Sequence, residues 1–296
     1  MKPAPFAFAR PASLAEALEV LAANPDAKVL AGGQSLVPLL SMRLASPGML
    51  VDINALDELA YVRTDADGVR VGALARHADV LADEAAAASQ PLLGLALQRV
   101  AHPTIRNRGT TVGSIVHADA SAEIPVVLSL LNGRVSVASS SGRRDVAAAD
   151  LYLGPMESAV KHDEIAVEAF FPALGPDAGV AFDEVARRHG DYALCGVAAH
   201  VRVAGGRAVS VRAGYLSVCD VPTVVDLTAA FPDGEVSPTA LDDAGDLAVA
   251  ALDPVSDIHA SAVYRRRLVR TLTRKVVALA HEHATSRALP PSESDG

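Results

Sequence analysis

The sequence predicts an α+β protein in three consecutive parts: two small α/β units, then a C-terminal antiparallel sheet with helices. Three observations carry this prediction. From Ser13 to Asn54, helix and strand patterns alternate in a β-turn-α-β order. From Tyr61 to Phe170, strand candidates bracket several helical stretches. From Gly179 to Val218, three long segments alternate or run apolar, Gly205-Gly206 turns between the last two, and two helical patterns follow.

In the first unit, Ser13 followed by Glu16 spells a capping box, and Leu14, Ala17, Leu18 and Leu21 share one helical face, so a helix should run to about Asn24-Pro25. A short strand, Lys28 to Ala31, meets Gly32-Gly33. Ser35 is placed to cap the next helix, with Pro38 in its tolerated first turn. Met49 to Ile53 reads as a strand, and the unit closes near Asn54. The second unit opens on a hairpin, Tyr61 to Thr64 and Val69 to Ala73, turning through Asp67-Gly68. Helices at His77 to Ala88 and Leu92 to Ala101, and strands at Arg134 to Val137 and Ile165 to Phe170, complete it. In the last part, strands at Gly179 to Val185, Gly196 to Val203 and Ala208 to Val218 precede helices at about Thr239 to Leu252 and His259 to Ala284. The boundaries drawn are 1–57, 58–176 and 177–285, with the polar, Pro- and Ser-rich segment 286–296 as a disordered tail.

Composition excludes several functions. Half of the 296 residues are hydrophobic and 21% are charged, the profile of a globular protein with a real core. Aromatic residues are only 4%, with no Trp, so Ala, Val and Leu must build that core, and this argues against a platform for single-stranded nucleic acid. A net charge of -9 opposes phosphate backbones and anionic membrane surfaces. The densest basic run, Arg265 to Arg267 with Arg270 and Arg274, reads as a solvated helix face. Two cysteines, Cys195 and Cys219, form neither a disulfide framework nor a CxxC metal site. No apolar span approaches ~18 residues and the N-terminus has no apolar leader, so a cytoplasmic protein without membrane insertion is expected.

Four segments are candidates for chemistry. AGGQSLVPLL (31–40) puts two glycines between apolar runs, which either makes a tight turn or leaves bare amides for an anion. RNRGTTVGS (106–114) is a second loop of this kind, with Thr110, Thr111 and Ser114 adding hydroxyls. Together the two could hold the halves of a pyrophosphate. Neither fits the P-loop spacing and no GxGxxG occurs, so a dinucleotide held by some other fold remains. HADASAE (117–123) offers His117, Asp119 and Glu123. Positions 117 and 119 diverge on a helix, which argues against a metal site. Asp119 and Glu123, four apart, could share a face; a ribose contact and a helix-start cap by Asp119 with a solvated Glu123 both remain open. ARRHGDYALCGVA (186–198) is a charged turn in which Tyr192 either is merely exposed or covers an aromatic ring. His281 and His283 fall on different helical faces and read as solvated, and Cys195 reads as a small core residue.

Taken jointly, AGGQSLVPLL with MLVDIN, RNRGTTVGSIVHADASAEIP and ARRHGDYALCGVA resemble the FAD-binding medium subunit of molybdenum hydroxylases, the family of carbon monoxide dehydrogenase flavoprotein and of the xanthine dehydrogenase FAD domain. The resemblance covers nearly the whole chain apart from the tail. It implies a vanillyl-alcohol-oxidase-like (PCMH-type) FAD-binding region of two α/β subdomains, then an α+β domain with a three-stranded antiparallel sheet. It implies that Ala31, Gly32, Gly33, Gln34, Ser35 and Leu36, with Thr110, Thr111, Val112, Gly113 and Ser114, surround the FAD pyrophosphate. It makes Glu123 a ribose contact, with Asp119 a weaker candidate, adds Ile165 as a cofactor contact, and lays Tyr192 against the isoalloxazine.

The same resemblance implies an oxidoreductase subunit that transfers electrons and holds no catalytic residue or metal of its own. Its expected partners are a large subunit with the molybdopterin cofactor and a small subunit with [2Fe-2S] clusters, in a dimer of heterotrimers. The chain departs from the family pattern at Val112, where a glycine is usual; a β-branched residue there is incompatible with positive φ. The alternatives are a self-contained FAD-dependent oxidoreductase and a structural subunit that has lost FAD.

Overall fold

The computed structural model describes residues 2–288. The first unit consists of β1 (Ala7–Ala9), α1 (Leu14–Ala23), β2 (Ala27–Leu30), α2 (Leu36–Met42) and β3 (Met49–Asp52), with the strands in a parallel sheet ordered β1-β3-β2. The Ser13 hydroxyl accepts the Glu16 amide at 3.2 Å, while the Glu16 carboxylate accepts the Ala12 amide at 2.7 Å. Thus α1 starts as expected, with the return bond placed one residue earlier than in a capping box. β1 was not predicted: three residues on a sheet edge carry too short a pattern to read, and their register is fixed by pairing Ala7 with Met49. Ser35 does not cap α2. Its own backbone is already helical (φ -98°, ψ -46°), so its hydroxyl cannot reach back to the amides of the first turn.

The second unit comprises β4 (Val62–Thr64), β5 (Gly68–Gly72), α3 (His77–Ala82), α4 (Glu84–Ser89), α5 (Pro91–Leu97), α6 (Pro103–Arg106), α7 (Thr111–His117), α8 (Glu123–Leu130), β6 (Arg134–Ser139), β7 (Gly142–Ala147), α9 (Ala148–Leu151), the small pair β8 (Tyr152–Gly154) and β9 (Glu157–Ser158), and β10 (Ile165–Pro172). Its main sheet is antiparallel, ordered β4-β5-β10-β6-β7. The helix expected from 77 to 88 is broken at Asp83, which ends α3 and whose carboxylate then accepts the Ala86 amide to start α4. One sheet face, with Val69, Val71, Val135, Val137 and Phe171, packs on helices bearing Leu92, Leu93, Ile115, Ile124 and Leu128. On the other face, Ala138, Ile165 and Val167 join the core of the first unit, so β10 is buried on both sides.

The last part contains β11 (Ala178–Ala186), β12 (Ala193–Ala204), β13 (Arg207–Leu216), β14 (Thr223–Asp226), α10 (Pro238–Ala251) and α11 (Ala262–Ala288). The three long strands expected are joined by the short edge strand β14, giving the order β11-β12-β13-β14. Both faces of this sheet are covered. Val180, Phe182, Ala198 and Leu216 share the core of the second unit, whereas Val197, Val201, Val211 and Tyr215 pack with Val269, Leu272 and Val276 of α11. Strands buried on both faces read as apolar runs, which explains the VAAHV stretch of β12.

Three surface expectations fail here. Arg265 is 5% exposed and so is not part of a solvated face, although Arg270 and Arg274 pair with Asp246 and Asp242 at the surface. His283 is not solvated either: its Nδ1 is 3.0 Å from the Val180 carbonyl oxygen and 3.1 Å from the Val180 amide nitrogen, at the edge of β11. α11 continues to Ala288, three residues into the stretch expected as tail; the rest of that stretch lies outside the described residues.

α11 lies so close to β11 that a Cβ built on Gly179 would collide with the Ala280 carbonyl oxygen and the Ala284 amide. Because both are backbone atoms, the helix itself would have to move. Gly179→Val should therefore lower the unfolding free energy by about 3 kcal/mol, read from the denaturant midpoint of the purified chain.

Candidate cofactor-binding site

The first loop leaves β2 at Leu30 and enters α2 at Leu36. Gly33 has φ +72°, a conformation that only glycine adopts without strain. Gly32 is required for a different reason. A Cβ there would strike the Arg108 carbonyl oxygen and lie 2.8 Å from the Gly109 Cα and 2.9 Å from the Thr110 nitrogen. The two loops singled out in the sequence thus touch backbone to backbone. Among the described residues, the amides of Gly32, Gly33, Gln34, Ser35 and Leu36 donate to no protein acceptor. The Gln34 side chain folds back to donate to the Gly32 carbonyl at 3.0 Å.

The second loop is held from behind. The Gly109 carbonyl accepts the His77 amide at 2.9 Å, and the Thr111 amide donates to the Ala75 carbonyl at 3.3 Å. His77 is 4% exposed, burial pushes its imidazole down to about 4, and its Nδ1 lies 3.1 Å from the Thr111 hydroxyl. A neutral ring therefore fixes Thr111. Thr110 caps α7, its hydroxyl accepting the Gly113 amide at 3.2 Å; a Cβ on Gly113 would strike that hydroxyl. Val112 adopts the ordinary helical conformation of α7, with its side chain 2% exposed in the core of the second unit. Positive φ is not needed at this position, so the β-branched residue is accommodated without strain.

Two residues that were assigned no role in the sequence analysis clamp the loops together. The Asn54 amide donates to the Ala31 carbonyl at 2.9 Å, and its side-chain oxygen accepts from Arg76 at 2.8 Å. Arg76 in turn donates to the Arg108 carbonyl at 3.0 Å. Asn54 ends the quoted MLVDIN motif, so its position was visible though its bond was not. Arg76 carried no local signal at all.

The segment 117–123 is a link between helices. Ala118 takes the left-handed conformation (φ 56°) that ends α7, and α8 begins at Glu123. His117, Asp119 and Glu123 therefore do not lie along one helix as expected, and among the described residues no group of three or more metal-ligating side chains converges. The Asp119 carboxylate accepts the Ser121 amide at 2.8 Å. Glu123 is 8% exposed; burial, then the nearby Glu184 carboxylate, pushes it up to about 8. Burial likewise pushes Glu184 up to about 7 against the pull of Arg99.

The third segment closes the arrangement. Gly190 (φ 84°) packs on the ring of His102, just ahead of α6, with a Cβ there falling 2.6 Å from the imidazole. Two residues on, Tyr192 is 65% exposed. Partial burial, then the charges of Asp119 and Glu123, raises its phenol to about 12. Ile165, by contrast, is 2% exposed in the core shared with the first unit, beside Leu56 and Leu74; its side chain is committed to packing.

The first two loops therefore meet at a set of unpaired amides and a hydroxyl-rich helix start, and the segments that follow carry a buried carboxyl and an exposed phenol. Bare amides suit phosphate oxygens, and the two glycines leave room for close approach. These features define the class as a dinucleotide-binding protein outside the Rossmann pattern. Comparison with known proteins makes the class specific. Residues 4–174 match the FAD binding domain in molybdopterin dehydrogenase, and residues 180–280 match the CO dehydrogenase flavoprotein C-terminal domain. The chain is 38% identical over 308 residues to the 6-hydroxypseudooxynicotine dehydrogenase complex subunit alpha of Paenarthrobacter nicotinovorans, covering 99% of each. It is 38% identical over 271 residues to the nicotine 6-hydroxylase medium subunit of the same organism, covering 91% of this chain and 95% of that one. Among solved structures, a carbon monoxide dehydrogenase from Hydrogenophaga pseudoflava, which lacks the Mo-pyranopterin moiety of its molybdenum cofactor, superposes with a TM-score of 0.90 at 30% identity, over 98% of this chain and 100% of that one. The chain belongs to the family of FAD-binding medium subunits of molybdenum hydroxylases, and FAD is its cofactor.

Two outcomes follow from the geometry. Because Val112 is a buried helical residue, Val112→Gly should lower the unfolding free energy by about 3 kcal/mol without tightening FAD binding, measured by denaturant melts and flavin titration. Glu123 has a folded pKa above its ordinary value of 4.5, so its proton is held more tightly in the native state. Its stabilising effect is complete below 4.5 and is lost as pH rises through about 8. In the FAD-free chain, Glu123→Gln should flatten the fall in denaturant midpoint across that window; an unchanged profile would contradict the assignment.

Proposed function

We propose that this chain is the electron-transfer subunit of a heteromeric molybdenum hydroxylase, receiving electrons from [2Fe-2S] clusters on a small partner subunit and delivering them through FAD to an external acceptor. The observation that carries the reading is the backbone contact of Gly32 with Arg108 to Thr110, which turns two loops into one amide-lined cradle. In it, Gly32, Gly33, Gln34, Ser35 and Leu36 hold one side of the pyrophosphate through main-chain amides. Thr110, Thr111, Val112, Gly113 and Ser114 form the other side, with Thr111 kept in place by His77 and Gly113 by the Thr110 cap. Ala31 contributes the carbonyl by which Asn54 anchors the cradle.

Glu123 takes a ribose hydroxyl. A carboxyl pushed up to about 8 holds its proton at neutral pH, so it can donate as well as accept there. Asp119 shapes the same turn and helps orient the Tyr192 hydroxyl. Tyr192, mostly exposed, offers its ring to the isoalloxazine. FAD supplies the chemistry this position needs, exchanging electrons singly with one partner and in pairs with another. The protein's own part is to bind, orient and shield.

The clusters are placed on another chain because a [2Fe-2S] cluster takes four ligands, usually thiolates, and this sequence has only two cysteines, one of them the buried Cys195. The molybdopterin cofactor, and with it the choice of organic substrate, belongs to a large subunit, in a dimer of heterotrimers. No helix among the described residues is long and apolar enough to cross a membrane, and with sparing cysteine use this supports a cytoplasmic complex.

The test is flavin binding by the purified chain. Gly33→Asp forces a side chain onto a φ of +72° and sets a carboxylate against the pyrophosphate, so FAD affinity should fall about 100-fold or more while the far-ultraviolet circular dichroism persists. Full flavin occupancy in this variant would remove the first loop from the site.

A further inference from the structure

The mechanism so far leaves unused the best-buried cation among the described residues. Arg265 lies in the first turns of α11 at 5% exposure, and its guanidinium reaches three separate segments. It donates to the Leu194 carbonyl at 2.9 Å, to the Ser217 carbonyl from the same nitrogen, and to the Asp257 carboxylate at 2.6 Å. Asp257 is itself fixed, accepting the His259 and Ala260 amides at 2.8 and 2.9 Å.

What those carbonyls belong to is informative. Along the β11–β12 ladder, Val185 pairs with Cys195 but Ala186 pairs with Ala193, so Leu194 is the extra residue of a β-bulge. A bulge frees one carbonyl from the ladder and re-aims the neighbouring side chains. The freed carbonyl is the one Arg265 takes, two residues from Tyr192. Ser217 is the other unusual position: it is 8% exposed in the left-handed conformation, φ 63°, and its amide donates to the Ala120 carbonyl at 2.8 Å. Ala120 is the neighbour of Asp119. One guanidinium thus ties the bulge after Tyr192 to the turn that carries Asp119 and precedes Glu123.

We infer that Arg265, anchored by Asp257, is a positioning residue that sets the Tyr192 ring and the Asp119–Glu123 turn at a fixed separation, and so governs how closely the phenol lies on the flavin. This rests on the placement of Tyr192 against the isoalloxazine. Arg265 does not touch the cofactor; it acts through two main-chain carbonyls. A lysine would keep the charge but could not serve two carbonyls and a carboxylate from one planar fork. Removing the guanidinium would leave buried carbonyls unpaired and let the bulge relax into the ladder.

The experiment uses the full chain loaded with FAD and reads flavin emission per bound flavin, because a phenol stacked on the ring quenches it. Tyr192→Ala fixes the scale by raising the emission. Arg265→Lys should raise it by roughly half of that amount or more at equal FAD occupancy, and should add nothing further in the Tyr192→Ala background. Asp257→Asn, which leaves every bulge carbonyl bonded, should give a smaller rise of the same sign, and it carries the test if Arg265→Lys does not fold. If Tyr192→Ala leaves emission unchanged, the placement of the ring fails and the inference fails with it. If Tyr192→Ala raises emission while the folded Arg265 or Asp257 variants match the unsubstituted chain, the ring placement stands and the positioning role is overturned.

Discussion

Everything in the binding region depends on one steric fact: the chain at Gly32 and the chain at Arg108 to Thr110 occupy adjacent backbone positions with no room for a side chain between them. The first loop comes from a parallel sheet and the second from helices packed on an antiparallel one. Only a residue without Cβ lets the two units close. Closure is then locked by a neutral amide and a cation, Asn54 and Arg76, which bond main-chain carbonyls on both sides. Toward the two loops the Asn54 and Arg76 side chains bond only carbonyl oxygens, and the amides of Gly32 to Leu36 have no protein acceptor among the described residues.

The third part supplies a backing for a site built from loops and the first turns of α2, α7 and α8. Its sheet is buried on one face against the helices of the second unit and on the other against α10 and α11. The Tyr215 hydroxyl, at 2.9 Å from Thr273, ties sheet to helix in the interior. A strand so held can carry an irregularity such as the Leu194 bulge at its end without unravelling, and an exposed phenol at that end then has a defined direction. Loops on a firm scaffold are where binding residues concentrate.

Much of this was legible in the sequence, for identifiable reasons. The long strands and helices were found because their apolar periodicity is set by which faces are covered. The loops were found because glycine and hydroxyl residues mark turns with free donors. What escaped the sequence was long-range. β1 is too short for any period to show. The helix pattern at 77–88 is continuous in hydrophobicity, and only the Asp83 cap divides it. Arg265 reads as one more arginine in RRR, since nothing local says that its fork faces inward to Leu194 and Ser217. Arg76 and His77 escaped for the same reason: their side-chain partners lie more than twenty residues away. In the HADASAE stretch the end of α7 is hidden because the left-handed turn falls on Ala118, a residue with no preference for it.

Val112 has a consequence for how such sites diversify. Position 112 contributes a stretch of helical main chain to the second loop, and main chain has no letter in the sequence. A glycine in the second loop can therefore give way to valine wherever the new methyl groups find space in the interior behind it, as they do beside Ile115 and Ile124. Spelling drifts while shape persists. A search that demands the letters would pass over chains of this kind, whereas one that asks where two turns meet without room for a side chain would retain them.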